Sequence, residues 1–132
     1  MLRIAVVALG LCHSIKAQAA ELLSAKAACQ MAHAPEKQMG QTIRFYGSYA
    51  ADRERAVITP TGCDRRIGVG AIAPEPERLL QASVDPLKPF VEIEAEFTAT
   101  FSRVAPNSMV VARDKGFRLD VSEISNLRVI EP

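Results

Sequence analysis

The sequence predicts a mainly β fold: a small antiparallel barrel of five or six strands, with one helix ahead of them and a short helix between the third and fourth. Three observations carry this. The first is the run Phe90–Ser102, where Val91, Ile93, Ala95, Phe97, Ala99 and Phe101 alternate with Glu92, Glu94, Glu96, Thr98, Thr100 and Ser102. Successive side chains on a strand point to opposite faces, so the run has one apolar and one polar face, whereas a helix would scatter both sets. The second is a series of shorter alternating runs, punctuated by Gly, Pro and Asp turn signals. The third is a helix-forming stretch, Arg78–Ser83, placed between the third and fourth of those runs.

Taken in order, the chain begins with an export signal. Arg3 gives a short basic end, Ile4–Cys12 is an apolar block too short to span a bilayer as a helix, and Ala17-Gln18-Ala19 is a small-x-small cleavage site. Cutting after Ala19 is the first choice and after Ala20 the second. A buried N-terminal strand fits the order of these three features less well, and a lipid anchor on Cys12 meets Leu11 where Gly, Ala or Ser is needed. Removing 19 of 132 residues leaves one domain, residues 20–132, of 113 residues. Arg3 and Lys16 go with the signal, so 16 basic residues become 14 against 15 acidic ones and the formal charge moves from +1 to −1. A near-neutral exported domain, without a concentrated positive face, argues against nucleic-acid binding. No later apolar run is long enough to cross a membrane. The expected location is the periplasm or the medium.

Signal removal also takes Cys12. Cys29 and Cys63 remain, an even number in an oxidising compartment, and one disulfide between them is predicted. Ala20–Met31 is rich in Ala, Leu and Lys, and Leu22, Leu23, Ala27 and Met31 share one side, which predicts a helix over 20–32, stopped near Pro35. Gln38–Gly40 turns into a first strand, Thr42–Tyr49, with Ile43, Phe45, Gly47 and Tyr49 on one face. Gly47 inside it marks a bulge or sharp bend. Ala51–Glu54 is a polar hairpin loop, Ala56–Thr59 a second strand, and Arg66–Ile72 a third. Glu75 and Glu77 after Pro74 suit the N-terminus of the short helix. After the long strand come a turn at Ala105–Ser108, a short apolar strand at Met109–Ala112, a turn at Asp114–Gly116 and a last strand. In that strand Phe117, Leu119 and Val121 alternate, then the phase shifts before Ile124, so a bulge or short turn is expected at Ser122–Ser125.

The pattern Cys29-x-Met31, then Gly40-x-Thr42-Ile43-x-Phe45-x-Gly47-x-Tyr49, then Gly62-Cys63, resembles small exported bacterial proteins with an OB-fold-like barrel and one disulfide. The tail, Val91-x-Ile93-x-Ala95-x-Phe97 and then Phe117-x-Leu119-x-Val121-x-x-Ile124, is similar to the last two strands of that group. The resemblance covers about residues 25–130 and implies architecture and the disulfide more than an activity; many members of the group have no assigned biochemistry. It places the Arg78–Ser83 helix where an OB-fold puts its plug. The chain lacks the aromatic-rich strand faces on which nucleic-acid-binding OB-folds stack bases.

Four constellations carry chemistry. Glu92, Glu94 and Glu96 put three carboxylates on one sheet face, roughly 6.5–7 Å apart; a hard cation could use them with loop oxygens, but a solvated face balanced by cross-strand Arg44 or Arg118 is the expectation. Cys29 and His33, spaced i and i+4, make a zinc set with Cys63 and Asp64, against which oxidation of the two thiols is favoured. His33 is the only histidine past the signal, so a hydrolytic triad would need it; at a helix C-terminus it reads instead as a dipole contact. Arg53, Arg55, Arg65 and Arg66 are placed at one end of the first three strands, as the candidate ligand patch. The resulting expectation is an exported, disulfide-linked binding or interaction module, taking a protein partner or an anionic small molecule at those arginines, with no catalytic residue, metal or cofactor. The alternatives are an envelope hydrolase using His33 or the Glu92–Glu96 row, and a structural or assembly subunit pairing through a strand edge.

Overall fold

The computed structural model describes residues 20–52, 55–85, 87, 91–104 and 116–130. The expected signal segment, Arg53, the turn at 105–108, the strand at Met109–Ala112 and residues 114–115 of the following turn lie outside the described residues. Five strands are described: β1 (Thr42–Ala51), β2 (Ala56–Pro60), β3 (Ile67–Ile72), β4 (Val91–Arg103) and β5 (Phe117–Val129). Helix α1 (Ala25–His33) precedes them, followed by a 3-10 turn at Pro35–Lys37, and α2 (Pro74–Ser83) joins β3 to β4.

The strands form one sheet that closes into a ring in the order β1-β2-β3-β5-β4, with β4 pairing back onto β1. Four of the five pairings are antiparallel, but β3 and β5 run parallel, with Gly68 opposite Arg118 and Val69 opposite Leu119. The sheet is therefore mixed, which corrects the expectation of a purely antiparallel one. The reason is topological. Between β3 and β5 the chain passes through α2 and β4, and that crossover returns it in its original direction, as parallel neighbours require. Alternation within a strand records which face is buried; it carries no information about a neighbour's direction.

The alternation itself holds. Ile43, Phe45, Tyr49, Ile93, Ala95, Phe97, Ala99, Phe101, Leu119 and Val121 all face the core, and Phe45, Phe97, Phe101, Ile58, Ile93 and Leu119 are its largest fully buried side chains. The rings of Phe45 and Phe97, register partners on β1 and β4, lie 6.0 Å apart. Gly47 marks where β1 begins to pair with β2 as well as β4. A Cβ there would sit 2.8 Å from the Thr59 carbonyl oxygen and 3.1 Å from the Phe45 ring, so the close approach of the two backbones requires glycine.

Before Gly47 the outer edge of β1 is covered from the N-terminal side. Leu22 makes a parallel bridge to Arg44, and the Leu23 N–H donates to the Arg44 carbonyl at 2.8 Å. Residues 20–24 thus lie ahead of the helix, and the helix expected over 20–32 begins at Ala25. Ser24 sets that boundary: its side chain accepts a hydrogen bond from the Ala27 N–H at 3.1 Å, an N-cap that helix propensity alone does not reveal. At the other end of the fold, α2 starts at Pro74, with Glu75 and Glu77 in its first turn, and buries Pro76 and Leu80. The expected phase shift in β5 is present: the register skips Ser122 opposite Thr98 and Ala99, and slips again between Glu94 and Glu96, where Asn126 adopts φ 52°.

Candidate functional site

The site is built where α1 meets the turn between β2 and β3. Cys29 and His33 lie four residues apart on α1, and therefore on one side of the helix. Gly62, at φ +73°, turns the chain after β2, with the Thr61 N–H bonded to the Tyr46 carbonyl and the Cys63 N–H to the Pro60 carbonyl, both at 3.0 Å. That turn brings Cys63 and Asp64 against the same side of α1. Cys29 and Cys63 are joined by a disulfide with a Cα–Cα distance of 5.4 Å, as expected. His33 Nε2 lies 2.8 Å from Asp64 Oδ1, and Cys63 Sγ lies 4.0 Å from the same oxygen.

The His33 hydrogen bond holds the Asp64 carboxyl below its usual range, with the charges of His33 and Arg65 acting in the same direction. Asp64 is 82% exposed and His33 49%, so solvent screens this pair. His33 thus combines its position at the helix C-terminus with a specific partner that the sequence offered only as a member of a four-residue set. Beside the pair lies an open cleft of about 600 Å³, lined by residues of α1, including Lys26 and His33, and by Thr61 and Gly62.

The described arginines of the candidate patch, Arg55, Arg65 and Arg66, do not gather at one end. The β2–β3 register sets Val57 opposite Gly68 and Ile58 opposite Ile67, so Arg55 precedes β2 at one end while Arg65 and Arg66 precede β3 at the other. β2 is five residues long, roughly 17 Å. Arg55 belongs to the β1–β2 turn, where its N–H donates to Asp52 Oδ1 at 2.9 Å. Arg65 and Arg66 are exposed and directly follow Asp64.

The glutamate row is a paired face. Arg44 binds Glu96 and Arg128 binds Glu94, and Ser48 Oγ lies 3.5 Å from Glu92 Oε1. Arg44 thus balances the row as expected, while Arg118 turns its guanidinium to the Phe117 carbonyl at 2.9 Å. The sequence did not reveal that Glu96 is buried, at 4% exposure, with Asn126 Nδ2 donating to it at 3.3 Å. Its carboxyl is held below the usual range chiefly by the Arg44 hydrogen bond, which outweighs desolvation, with Asn126 and Tyr46 assisting. The position of Asn126 after the phase shift in β5 was the available signal, because Asn tolerates the left-handed conformation that aims it here.

Among the described residues no helix is long and apolar enough to cross a membrane. No protein-family model, curated protein or solved structure matches this chain.

Proposed function

We propose that this chain is an exported, disulfide-linked OB-like barrel that acts by binding, with its ligand surface at the α1 and β2–β3 end. The observation that carries the reading is the cleft between Lys26, His33 and Gly62, together with the exposed Arg65 and Arg66, which directly follow the His33 partner Asp64 in the chain. A Lys side chain in the open cleft, and two exposed Arg residues on the turn that pairs with His33, suit an anionic small molecule or an acidic partner. The ring order, the parallel β3–β5 pair and the helix between β3 and β4 support the OB-like architecture. The disulfide is compatible with an oxidising compartment, either periplasm or medium. The hydrolase reading through the glutamate row draws little support, because Glu94 and Glu96 are engaged by Arg128 and Arg44. Assembly through a strand edge is likewise weakly supported, since every strand of the ring has a neighbour on both sides.

Titration with inorganic pyrophosphate, followed by amide NMR shifts, tests the proposal. Shifts confined to residues 25–33 and 61–66, weakened about tenfold or more by Arg65→Glu with Arg66→Glu, are expected. Shifts centred elsewhere, or affinity unchanged in that variant, refute it.

A further inference from the structure

The same junction gathers a second set of donors, two of which, Cys29 and His33, also line the cleft. The ligand atoms of Cys29, His33, Cys63 and Asp64 all lie within 4.8 Å of one another. They offer two sulfurs, one imidazole nitrogen and one carboxylate oxygen, which are the donor types of a four-coordinate zinc site. In the disulfide the two sulfurs are bonded to each other and cannot both serve as thiolate ligands. We propose that the reduced protein binds one Zn²⁺ through Cys29, His33, Cys63 and Asp64, so that a metal replaces the covalent link between α1 and the β2–β3 turn.

The chemistry balances with a dithiol or phosphine reductant. Two electrons and two protons convert the disulfide to two thiols, and the reductant becomes a cyclic disulfide or, with water, a phosphine oxide. Zinc then takes both sulfurs as thiolates and their two protons pass to solvent. The geometric demand is small. Zn–S bonds of about 2.3 Å at tetrahedral angles put the sulfurs about 3.8 Å apart, a parting that cleavage of the covalent bond permits with the two Cα atoms at 5.4 Å. Zn–N and Zn–O bonds near 2.1 Å separate those two atoms by about 3.4 Å, against 2.8 Å between His33 and Asp64. Both changes are openings of side chains around a common centre. Cys29 and His33 are fixed relative to each other by one helical turn, while Cys63 and Asp64 sit on a surface turn that can follow.

The test uses the full chain carrying Cys12→Ser and His13→Gln, which leaves Cys29, Cys63 and His33 as its only cysteines and histidine. After reduction with a phosphine, Co²⁺ is added as a spectroscopic probe and then displaced by Zn²⁺ in competition with a chromophoric chelator. One metal per chain with tetrahedral cobalt absorption is expected in the reduced protein, and none in the oxidised protein. His33→Ala and Asp64→Ala should each weaken binding about tenfold or more, while His33→Cys should retain it. Both residues are exposed, and melting of the oxidised variants confirms that each one folds. Failure of the reduced chain to take up metal, or uptake indifferent to both alanine substitutions, overturns the proposal.

Discussion

Replacing Cys29 and Cys63 together by Ala tests the physical basis of stability in this domain. The cysteines are 34 residues apart. In the chain-entropy treatment, closing a loop of that length removes about 12.6 cal/mol/K from the unfolded chain, or about 4 kcal/mol at 25 °C. Both side chains are only half-buried, so their truncation adds little cavity cost, and the expected loss is close to the loop term alone. For a domain whose total stability lies near 5–15 kcal/mol, that is a large share. Urea unfolding at neutral pH, with a chelator present to exclude metal, measures it. With a slope of about 1.5 kcal/mol/M, the midpoint should fall by roughly 2.5 M. A midpoint shift under about 0.5 M, with native circular dichroism retained, would refute the reasoning. It would mean that the unfolded chain already holds α1 near the β2–β3 turn, or that α1 is dispensable.

Two further perturbations probe the sheet. Phe97→Ala, at the centre of β4 and against Phe45, should cost about 3–5 kcal/mol, read as a lowered urea midpoint with an unchanged slope. Glu96→Gln should cost about 1–3 kcal/mol at neutral pH by weakening the bond to Arg44, and should flatten the acid limb of the stability curve. The sign follows from the depressed carboxyl: its contribution is complete above its free value of 4.5 and is lost as pH falls through the lower folded value. Stability of wild type and variant, measured from pH 7 down to pH 3, should therefore converge on the acid side; parallel curves would contradict this role for Glu96.

Much of this architecture was legible because burial has a period that sequence records directly. Ile43, Phe45 and Tyr49 on β1, and the whole of β4, could be assigned to a face before any neighbour was known. The parallel β3–β5 pair was not legible, because direction depends on where a crossover lands. The four arginines looked like one patch because they are close in sequence, yet a five-residue strand separates Arg55 from Arg65 and Arg66. Glu96 looked like its neighbours Glu92 and Glu94. It is buried and bonded to Asn126, thirty residues on, at a register slip whose place was only partly visible in the shift of alternation before Ile124.

The junction of α1 with the ring matters because so little apolar surface holds it. Only Ala28 and Ala32 of the helix are fully buried. At about 0.8 kcal/mol per buried carbon, two methyl groups contribute roughly 1.6 kcal/mol, and half-buried Met31 adds a partial contact. The Leu23 backbone bond to Arg44 supplies registration more than energy. A cross-link worth about 4 kcal/mol therefore outweighs the helix's own packing. A chain that docks one of its two described helices mainly through a bond that reduction can break has made that helix conditional on its surroundings. The placement of His33 and Asp64 beside the two sulfurs then has a consequence beyond a screened surface pair. They are the two donors that would let a metal hold α1 in place where the disulfide does not survive, and the cleft, lined by the same helix, would persist or vanish with it.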